Sequence, residues 1–212
     1  MKIYARGTLG DTFFILLKLE PQIRKIYHYS KHQHVYNKIK EIYSLNPDLE
    51  VEFLTSEPKD IEFIKGHLSS DEKIINPFPN FIFPELEEVL PEEYYAVQLQ
   101  SGLNQAWRKI NAVQLLRVPI DKPWVILGTD KSQVRLPTDK IQDLRQKTSL
   151  PQAFGVIAGS SGYFGPQGIL SFVALSQRVK STIFLMNESD THACAHRIDK
   201  IPEWEKYVEY VI

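Results

Sequence analysis

The residues best suited to chemistry lie near the beginning of the chain, in the segment Arg6-Gly7-Thr8-Leu9-Gly10-Asp11. A short run from Lys2 to Ala5 predicts a β-strand before it, and an apolar run from Thr12 to Leu19 predicts a helix after it. Two glycines allow a sharp turn and a close approach to a ligand, at the positive end of the helix. Asp11 therefore either caps this helix or belongs to an active site.

A second glycine-rich turn, Gly165-Pro166-Gln167-Gly168, occurs in the second half of the chain. It follows the strand-like residues Tyr163 and Phe164 and precedes a predicted helix from Ile169 to Arg178. In open α/β sheets, ligands bind at the carboxyl ends of the strands, where such turns lie. Two turns of this kind suit a reaction between two substrates, one held by each half.

Strand-like and helix-like runs alternate along the whole chain, which predicts an α/β protein with parallel sheets. The segment Val118-Pro119-Ile120-Asp121-Lys122-Pro123 is the predicted linker, because its two prolines cannot continue a helix. It separates an amino-terminal Rossmann-like domain, residues 1–118, from a carboxyl-terminal α/β lobe, residues 123–212. The second lobe is expected to be reduced, because about ninety residues are too few for a full Rossmann domain.

Several shorter segments carry their own predictions within this pattern. Lys73-Ile74-Ile75 and Tyr94 to Leu99 predict strands, and both fall in the first domain as defined above. Helices are predicted over residues 59–68, 85–90, 103–115 and 139–146, and Ser149 and Gln152 form a capping-box pattern before another helix.

Composition narrows the classes of function. The 25 Lys and Arg residues against 26 Asp and Glu residues leave a net charge of -1, so no nucleic-acid partner is expected. The longest apolar run, Phe13 to Leu17, is too short to span a membrane, which leaves at most peripheral membrane contact. No leader peptide is recognisable, and Cys194 is the single cysteine. These features predict a cytoplasmic protein without an internal disulfide.

Two other pairs of residues with reactive or binding side chains each have two interpretations. His192 and His196 either hold a zinc ion or lie on a solvated helix. No metal site is predicted, because Cys194 between them would point elsewhere on a helix and no Glu follows His192 to complete a His-Glu-x-x-His motif. Trp107 and Arg108 either bind a sugar and an anion or have structural and surface roles. Hydrolase, P-loop and full dinucleotide-binding motifs are absent.

Three segments together resemble glycosyltransferase family 9, the heptosyltransferase-like enzymes of the GT-B fold. The first glycine turn resembles the family's Gly-x-x-Gly-Asp motif. Tyr95 to Gly102 is similar to its Asp-Leu-Gln-Gly strand. The segments Lys147 to Leu150 and Tyr163 to Leu175 resemble its Thr-Ser-Leu helix and its Gly-x-Asp-Ser-Gly-Leu-x-His-x-Ala donor signature, in the same order.

This resemblance implies an inverting transfer of a sugar from a nucleotide sugar to a glycan or lipid-linked acceptor. Asp11 would be the general base on the acceptor hydroxyl, and the nucleotide sugar would be a substrate, with no cofactor. The substrate-binding residues implied in this way are Gly7, Thr8, Gly10, Thr12, Arg135, Thr148, Ser149, Gly165, Gln167 and Gly168.

The chain departs from the donor signature at three positions. Gln167 stands where the family has Asp, Ile169 where it has Gly, and Phe172 where it has His; Arg135 is one place from an expected Lys. The alternative function is therefore a catalytically degenerate binding or assembly protein. A trimmed lobe would leave a sheet edge unpaired, which a homodimer would cover.

Overall fold

The computed structural model describes residues 3–7, 9–59, 63–65, 73–101, 108–130, 135–186 and 201–212. The chain divides into two compact units, Met1–Phe83 and Pro84–Ile212. Within these described ranges, each unit contains one parallel β-sheet, with four strands in the first and six in the second. The predicted class, two Rossmann-like α/β lobes, is confirmed.

The first unit alternates strands and helices around a four-stranded sheet. Its elements are β1 (Ile3–Arg6), α1 (Leu9–Lys18), β2 (Lys25–Tyr29), a 3-10 turn (Gln33–Val35), α2 (Tyr36–Tyr43), β3 (Glu50–Phe53) and β4 (Phe63–Lys65). The strand order is β3-β2-β1-β4, and every pairing is parallel. The chain thus crosses from one side of β1 to the other after β3, so a topological switch point lies between β1 and β4. Ligands bind at such points in open α/β sheets.

Helix α1 is buried on all sides from Thr12 onward, and every residue from Thr12 to Leu19 is nearly inaccessible to solvent. Helices with this composition form in the core of a protein rather than on its surface. The N–H groups of Ile75 and Asn76 donate to the Leu17 carbonyl at 3.0 and 2.9 Å, which satisfies an acceptor at the helix end. The strand predicted at Lys73-Ile74-Ile75 is therefore wrong, because this irregular segment covers the end of α1 instead.

The second unit contains the larger sheet. Its elements are β5 (Tyr95–Gln98), α3 (Ala112–Leu115), β6 (Trp124–Leu127), β7 (Ile141–Asp143), α4 (Leu150–Ala158), β8 (Gly162–Pro166), α5 (Ile169–Ser176), β9 (Ser181–Phe184), a 3-10 helix (Pro202–Tyr207) and β10 (Val208–Val211). The parallel strand order is β10-β9-β8-β5-β6-β7. Counted from β5, this is the 3-2-1-4-5-6 order of the Rossmann fold. All residues of β6 and β8 are buried, as expected when both faces of a parallel sheet are covered.

The boundary between the units lies before β5, not at the predicted linker. β5 pairs with β6 and β8, so it is the central strand of the second sheet. Val118 is buried, and the Trp124 indole N–H donates to the Pro119 carbonyl at 2.7 Å. The segment with the two prolines therefore connects α3 to β6 inside the second unit and does not link two units. Among the described residues the second lobe has six strands rather than the expected reduced sheet. The sequence pattern places β5 in the preceding domain and predicts β7 as a helix, so it undercounts the strands.

Four predicted helices also differ from the structure. Residues 63–65 form β4 within the range 59–68, and Ile141–Asp143 form β7 within the range 139–146. Residues 85–90 are irregular, and only Ala112–Leu115 of the range 103–115 is helical among its described residues. β7 lies at the sheet edge with its residues half-buried. Such a polar edge strand lacks the apolar pattern that would reveal it, and pairing with a neighbouring strand outweighs local propensity.

No helix within the described ranges is long and apolar enough to cross a lipid bilayer.

Candidate functional site

The first candidate site is the turn that joins β1 to α1. Gly7 follows β1 directly, at the switch point between β1 and β4. Its N–H donates to the Tyr29 carbonyl at 3.3 Å, and its carbonyl lies 3.3 Å from the Nε2 atom of His28. β2 therefore holds both backbone polar groups of Gly7, which fixes the start of the turn.

Asp11 lies in the first turn of α1 and is half-buried. Helix α1 begins at Leu9, earlier than predicted, so Asp11 is inside the helix and not the residue that precedes it. A side chain on Gly7 would collide with the Asp11 Cβ atom and lie 3.3 Å from its Oδ2 atom. Only glycine fits against this carboxylate, and the positive end of the helix favours its negative charge.

The other residues predicted for this site have different surroundings. Thr12 is fully buried under the turn, which suits packing better than contact with a substrate. Gly10 is the second residue of α1, and Thr8 lies outside the described residues. Among the residues predicted here, Asp11 is therefore the group placed to accept a proton.

His28 was not predicted as a site residue, although it supports the Gly7 turn. It is fully buried on β2, and its Nδ1 atom lies 2.8 Å from the Tyr43 hydroxyl. Burial lowers the pKa of His28 to about 4, although the hydrogen bond to Gly7 and the charge of Asp11 act in the opposite direction. The sequence does contain a signal of this role. His28 lies two residues after Ile26 in an alternating strand, so both side chains are on the buried face.

The second candidate site is the turn between β8 and α5. β8 pairs with β5 at the topological switch point of the six-stranded sheet. A side chain on Gly165 would collide with the Tyr163 hydroxyl and lie 3.1 Å from Gln98 Cβ, and one on Gly168 would lie 3.2 Å from Ser101 Oγ. The two glycines therefore allow the turn to pack closely against the residues at and just beyond the end of β5.

Buried side-chain hydrogen bonds fix this end of the sheet. The Tyr163 hydroxyl donates to Gln98 Oε1 at 2.8 Å, and Gln98 Nε2 donates to the Gln100 carbonyl at 2.9 Å. Burial raises the pKa of Tyr163 well above its usual range, so its hydroxyl remains a donor. These two bonds connect β8 to the segment that leaves β5.

That segment forms a short antiparallel pair instead of the predicted helix. The N–H of Ser101 donates to the Arg108 carbonyl at 2.9 Å, and the N–H of Ile110 donates to the Leu99 carbonyl at 2.9 Å. The pair places Arg108 beside the glycine turn, where its Nη1 atom donates to the Gln167 carbonyl at 3.4 Å. A guanidinium thus lies next to the start of α5. Trp107 is outside the described residues.

Gln167 itself is fully buried, and neither atom of its side-chain amide has a hydrogen-bond partner among the described residues. Phe172 is buried in α5, where its ring stacks on that of Trp204 at a centroid distance of 6.3 Å. Phe172 therefore contributes to the core at the position where the family resemblance predicts an imidazole.

Three further residues predicted for the donor site lie on other segments: Arg135 is in the loop between β6 and β7, and Thr148 and Ser149 lie between β7 and α4. Arg135 is exposed, and Ser149 caps α4: its Oγ accepts from the Gln152 N–H at 3.3 Å, and Gln152 Oε1 accepts from the Ser149 N–H at 2.9 Å. This confirms the predicted capping box. The cap follows β7, which lies three strand positions from β8, a separation of about 14 Å at the usual strand spacing.

No group of three His, Cys, Asp or Glu residues that could hold a metal ion occurs in the described part of the chain. His192, Cys194 and His196 lie outside the described residues, so a zinc site there stays a hypothesis.

Comparisons with known proteins give similarity in structure only. No protein-family model matches the chain, and no curated protein matches it in sequence. The iron-containing dodecameric glycosyltransferase TibC of enterotoxigenic E. coli H10407 is 13% identical and has a TM-score of 0.47, and its complex with ADP-D-beta-D-heptose is 12% identical with a TM-score of 0.42. Both comparisons cover 86% of this chain and 57% of TibC, so the chain spans less than two thirds of that protein.

ADP-heptose LPS heptosyltransferase II of E. coli is similar over a larger share of both chains. The comparison covers 100% of this chain and 90% of the enzyme, with 11% identity and a TM-score of 0.52. The chain therefore has a fold similar to that of heptosyltransferase II, which confirms at the level of the fold the resemblance that its motifs predicted.

Proposed function

We propose that this protein is an inverting glycosyltransferase that moves a sugar from a nucleotide sugar to a hydroxyl group of a glycan or lipid-linked acceptor. The observation that carries the proposal is the half-buried Asp11 carboxylate, held against Gly7 at the start of α1 and at the switch point of the first sheet. The fold similarity to heptosyltransferase II supports it, and a nucleotide-activated hexose or heptose is the donor class.

The proposed reaction is a single displacement with Asp11 as general base. The Asp11 carboxylate takes the proton of the acceptor hydroxyl. At the same time the acceptor oxygen forms a bond to the anomeric carbon of the donor sugar. The bond from that carbon to the diphosphate breaks at the same time, and the nucleoside diphosphate leaves with the electron pair. Attack from the opposite face inverts the anomeric centre.

The leaving group carries negative charge, so the proposed donor site must supply positive field. Arg108 and the N-terminus of α5 lie together at the Gly165-Pro166-Gln167-Gly168 turn, and both stabilise phosphate oxygens. A guanidinium can contact two oxygens at once. The donor proposal depends on this turn rather than on Arg135, Thr148 and Ser149, whose part in binding is only implied by the motif resemblance.

A cytoplasmic location and at most peripheral membrane contact complete the proposal. Both follow from the composition, and each is separable from the catalytic role of Asp11. The predicted homodimer is no longer supported by its original reason, because the second lobe has a six-stranded sheet among its described residues and is not trimmed.

The second candidate is a catalytically degenerate binding or assembly protein with the same fold. The observation in its favour is Gln167, a buried amide where a carboxylate is expected, together with the packing of Phe172 against Trp204. A protein of this kind would keep the first site without using a nucleotide sugar.

A thermal-shift panel of nucleoside diphosphates and nucleotide sugars separates the two candidates. A ligand that binds only the folded protein stabilises it by about 2.7 kcal/mol at about 100 times its Kd. We expect one nucleotide class to raise the Tm of the wild type by several degrees, and we expect Arg108→Ala to reduce that shift. The absence of any shift at millimolar ligand would favour the binding protein.

The role of the base is tested in the full chain with the donor found in that panel. Asp11→Asn keeps the shape of the side chain but cannot accept the proton, so we expect the transfer rate to fall by about 10²- to 10⁴-fold. The donor-induced thermal shift should remain. Asp139→Asn, at an exposed carboxylate, is the matched control, and equal activity in both variants would overturn the assignment of Asp11.

A further inference from the structure

A series of contacts runs from Tyr43 through the buried His28 and Gly7 to Asp11. Tyr43 on α2 contacts His28 on β2, His28 contacts the Gly7 carbonyl, and Gly7 packs on the Asp11 side chain. We propose that His28 is a positioning residue, which orients the Asp11 carboxylate by holding the Gly7 turn through a single fixed tautomer. This inference rests on the proposed role of Asp11 as the base.

The tautomer follows from the chemistry of the two partners. A backbone carbonyl only accepts hydrogen bonds, so the Nε2 atom facing Gly7 must carry the proton. The neutral ring then has an acceptor at Nδ1, and the Tyr43 hydroxyl must donate to it at 2.8 Å. Burial raises the pKa of Tyr43 well above its usual range, which keeps this hydroxyl protonated. In a histidine, the hydrogen bond at one ring nitrogen sets the state of the other.

The surroundings of the ring leave it little freedom. Its centroid lies 5.5 Å from that of Tyr43 and 5.9 Å from that of Phe53 on β3, both with edge-to-face geometry. His28 and Ala5 are paired residues of β2 and β1. Among the described residues that act on His28, the titratable groups are Tyr43 from α2 and Asp11 from α1. Packing on both sides and the strand register therefore fix the direction in which Nε2 points.

The consequence for Asp11 is geometric. Both backbone polar groups of Gly7 are held by β2, through Tyr29 and His28. The Asp11 side chain packs directly over Gly7, with its Oδ2 atom 3.3 Å from the position of a Cβ there. A movement of the Gly7 carbonyl would therefore displace the carboxylate. Supporting contacts of this kind determine whether a catalytic group holds its productive position.

Two variants at position 28 separate positioning from packing. His28→Gln keeps an N–H donor within reach of the Gly7 carbonyl, whereas His28→Leu fills similar space without a donor. In amide hydrogen exchange of the full chain, we expect His28→Leu to speed the exchange of the Gly7 N–H, which donates to the Tyr29 carbonyl, by about tenfold, the effect of losing one buried hydrogen bond in the same turn. His28→Gln should restore much of the protection. Equal acceleration throughout Met1–Phe83 in His28→Leu would overturn the proposal in favour of a packing role.

The Tyr43 hydroxyl is tested by Tyr43→Phe, with Tyr36→Phe on the same helix as the matched control. Tyr36 donates to the Leu54 carbonyl and does not contact His28. Long-range ¹H–¹⁵N NMR of the imidazole should show the Nε2–H tautomer of His28 in the wild type and in Tyr36→Phe, with an increased share of Nδ1–H in Tyr43→Phe. A wild-type Nδ1–H tautomer would contradict the proposal.

The kinetic measurement connects the positioning to the reaction. With a transferable donor, His28→Leu should lower kcat about tenfold or more with KM unchanged, and His28→Gln should recover most of kcat. Unchanged kcat in His28→Leu would overturn the proposal. If the wild type transfers no sugar, the proposed function fails, while the exchange and NMR measurements still decide whether His28 holds the turn.

Discussion

The side chain of Asp11 occupies the space that any side chain at Gly7 would need. A Cβ at position 7 would collide with Asp11 Cβ and lie 3.2 Å from its Cγ atom. The first glycine of the turn is therefore required by its neighbour four residues later, and this contact fixes the direction of the carboxylate.

Gly7→Ala should displace Asp11 and impair the proposed reaction. Because either the turn or the start of α1 must move, we expect a loss of about 1–3 kcal/mol in stability together with a large loss of transfer activity. Gly162→Ala is the control, since a Cβ there meets its neighbours at an ordinary 3.4 Å. Denaturation and transfer assays on both variants check this, and a fully active Gly7→Ala would show that the contact is dispensable.

Stability should depend on pH through His28. Its pKa is about 4 in the folded protein against an ordinary 6.5, so the unfolded chain binds this proton first as the pH falls. The stability is fully present above pH 6.5 and is lost between pH 6.5 and 4, by about 3 kcal/mol for the whole shift.

His28→Gln should remove this component and leave the slope that arises from carboxylates. Amide exchange of β2 and α2 at pH 7 and pH 5, in the wild type and the variant, measures the difference. The same slope in both proteins would contradict a neutral, buried His28.

Gln167→Met should stabilise the protein and weaken donor binding. It replaces a buried amide without a described hydrogen-bond partner by an apolar side chain of similar length, which we expect to gain about 1–2 kcal/mol. If the amide contributes to the donor site, the nucleotide-induced rise in Tm should shrink. Gln142→Met is the control, because Gln142 donates to the Val89 carbonyl and its replacement should not stabilise. Lower stability in Gln167→Met would show that the amide is satisfied in solution.

Ser149→Ala should affect stability more than nucleotide binding. Its hydroxyl oxygen accepts the Gln152 N–H at the start of α4, and loss of such a cap costs about 1 kcal/mol. Thr138→Ser, which keeps a hydroxyl that accepts from the Lys140 N–H, is a mild control in the preceding loop. A reduced thermal shift with nucleotide in Ser149→Ala, at unchanged stability, would instead support a direct role in binding.

Much of the organisation was predictable from local patterns. The strand before Gly7, the helix after it, the capping box at Ser149 and the strand Tyr95–Gln98 all follow from periodicity and cap chemistry, which act between near neighbours in the chain. The edge strand β7 and the short strand β4 were predicted as helices, because their pairing partners, Trp124–Leu127 and Ile3–Arg6, are distant in sequence. The same cause displaced the domain boundary, since β5 is recognisable as a strand but its partners are not.

The sequence by itself determined the α/β class, the two glycine turns and Asp11 as the carboxylate at the first of them, because these depend on the conformations that glycine permits and on short-range periodicity. Only the tertiary structure decided that β5 belongs to the second unit, that Arg108 reaches the Gln167 carbonyl and that His28 supports Gly7. Each of these is a contact between residues far apart in the chain. Such contacts are selected by burial and hydrogen-bond satisfaction over the whole fold, which no local pattern contains.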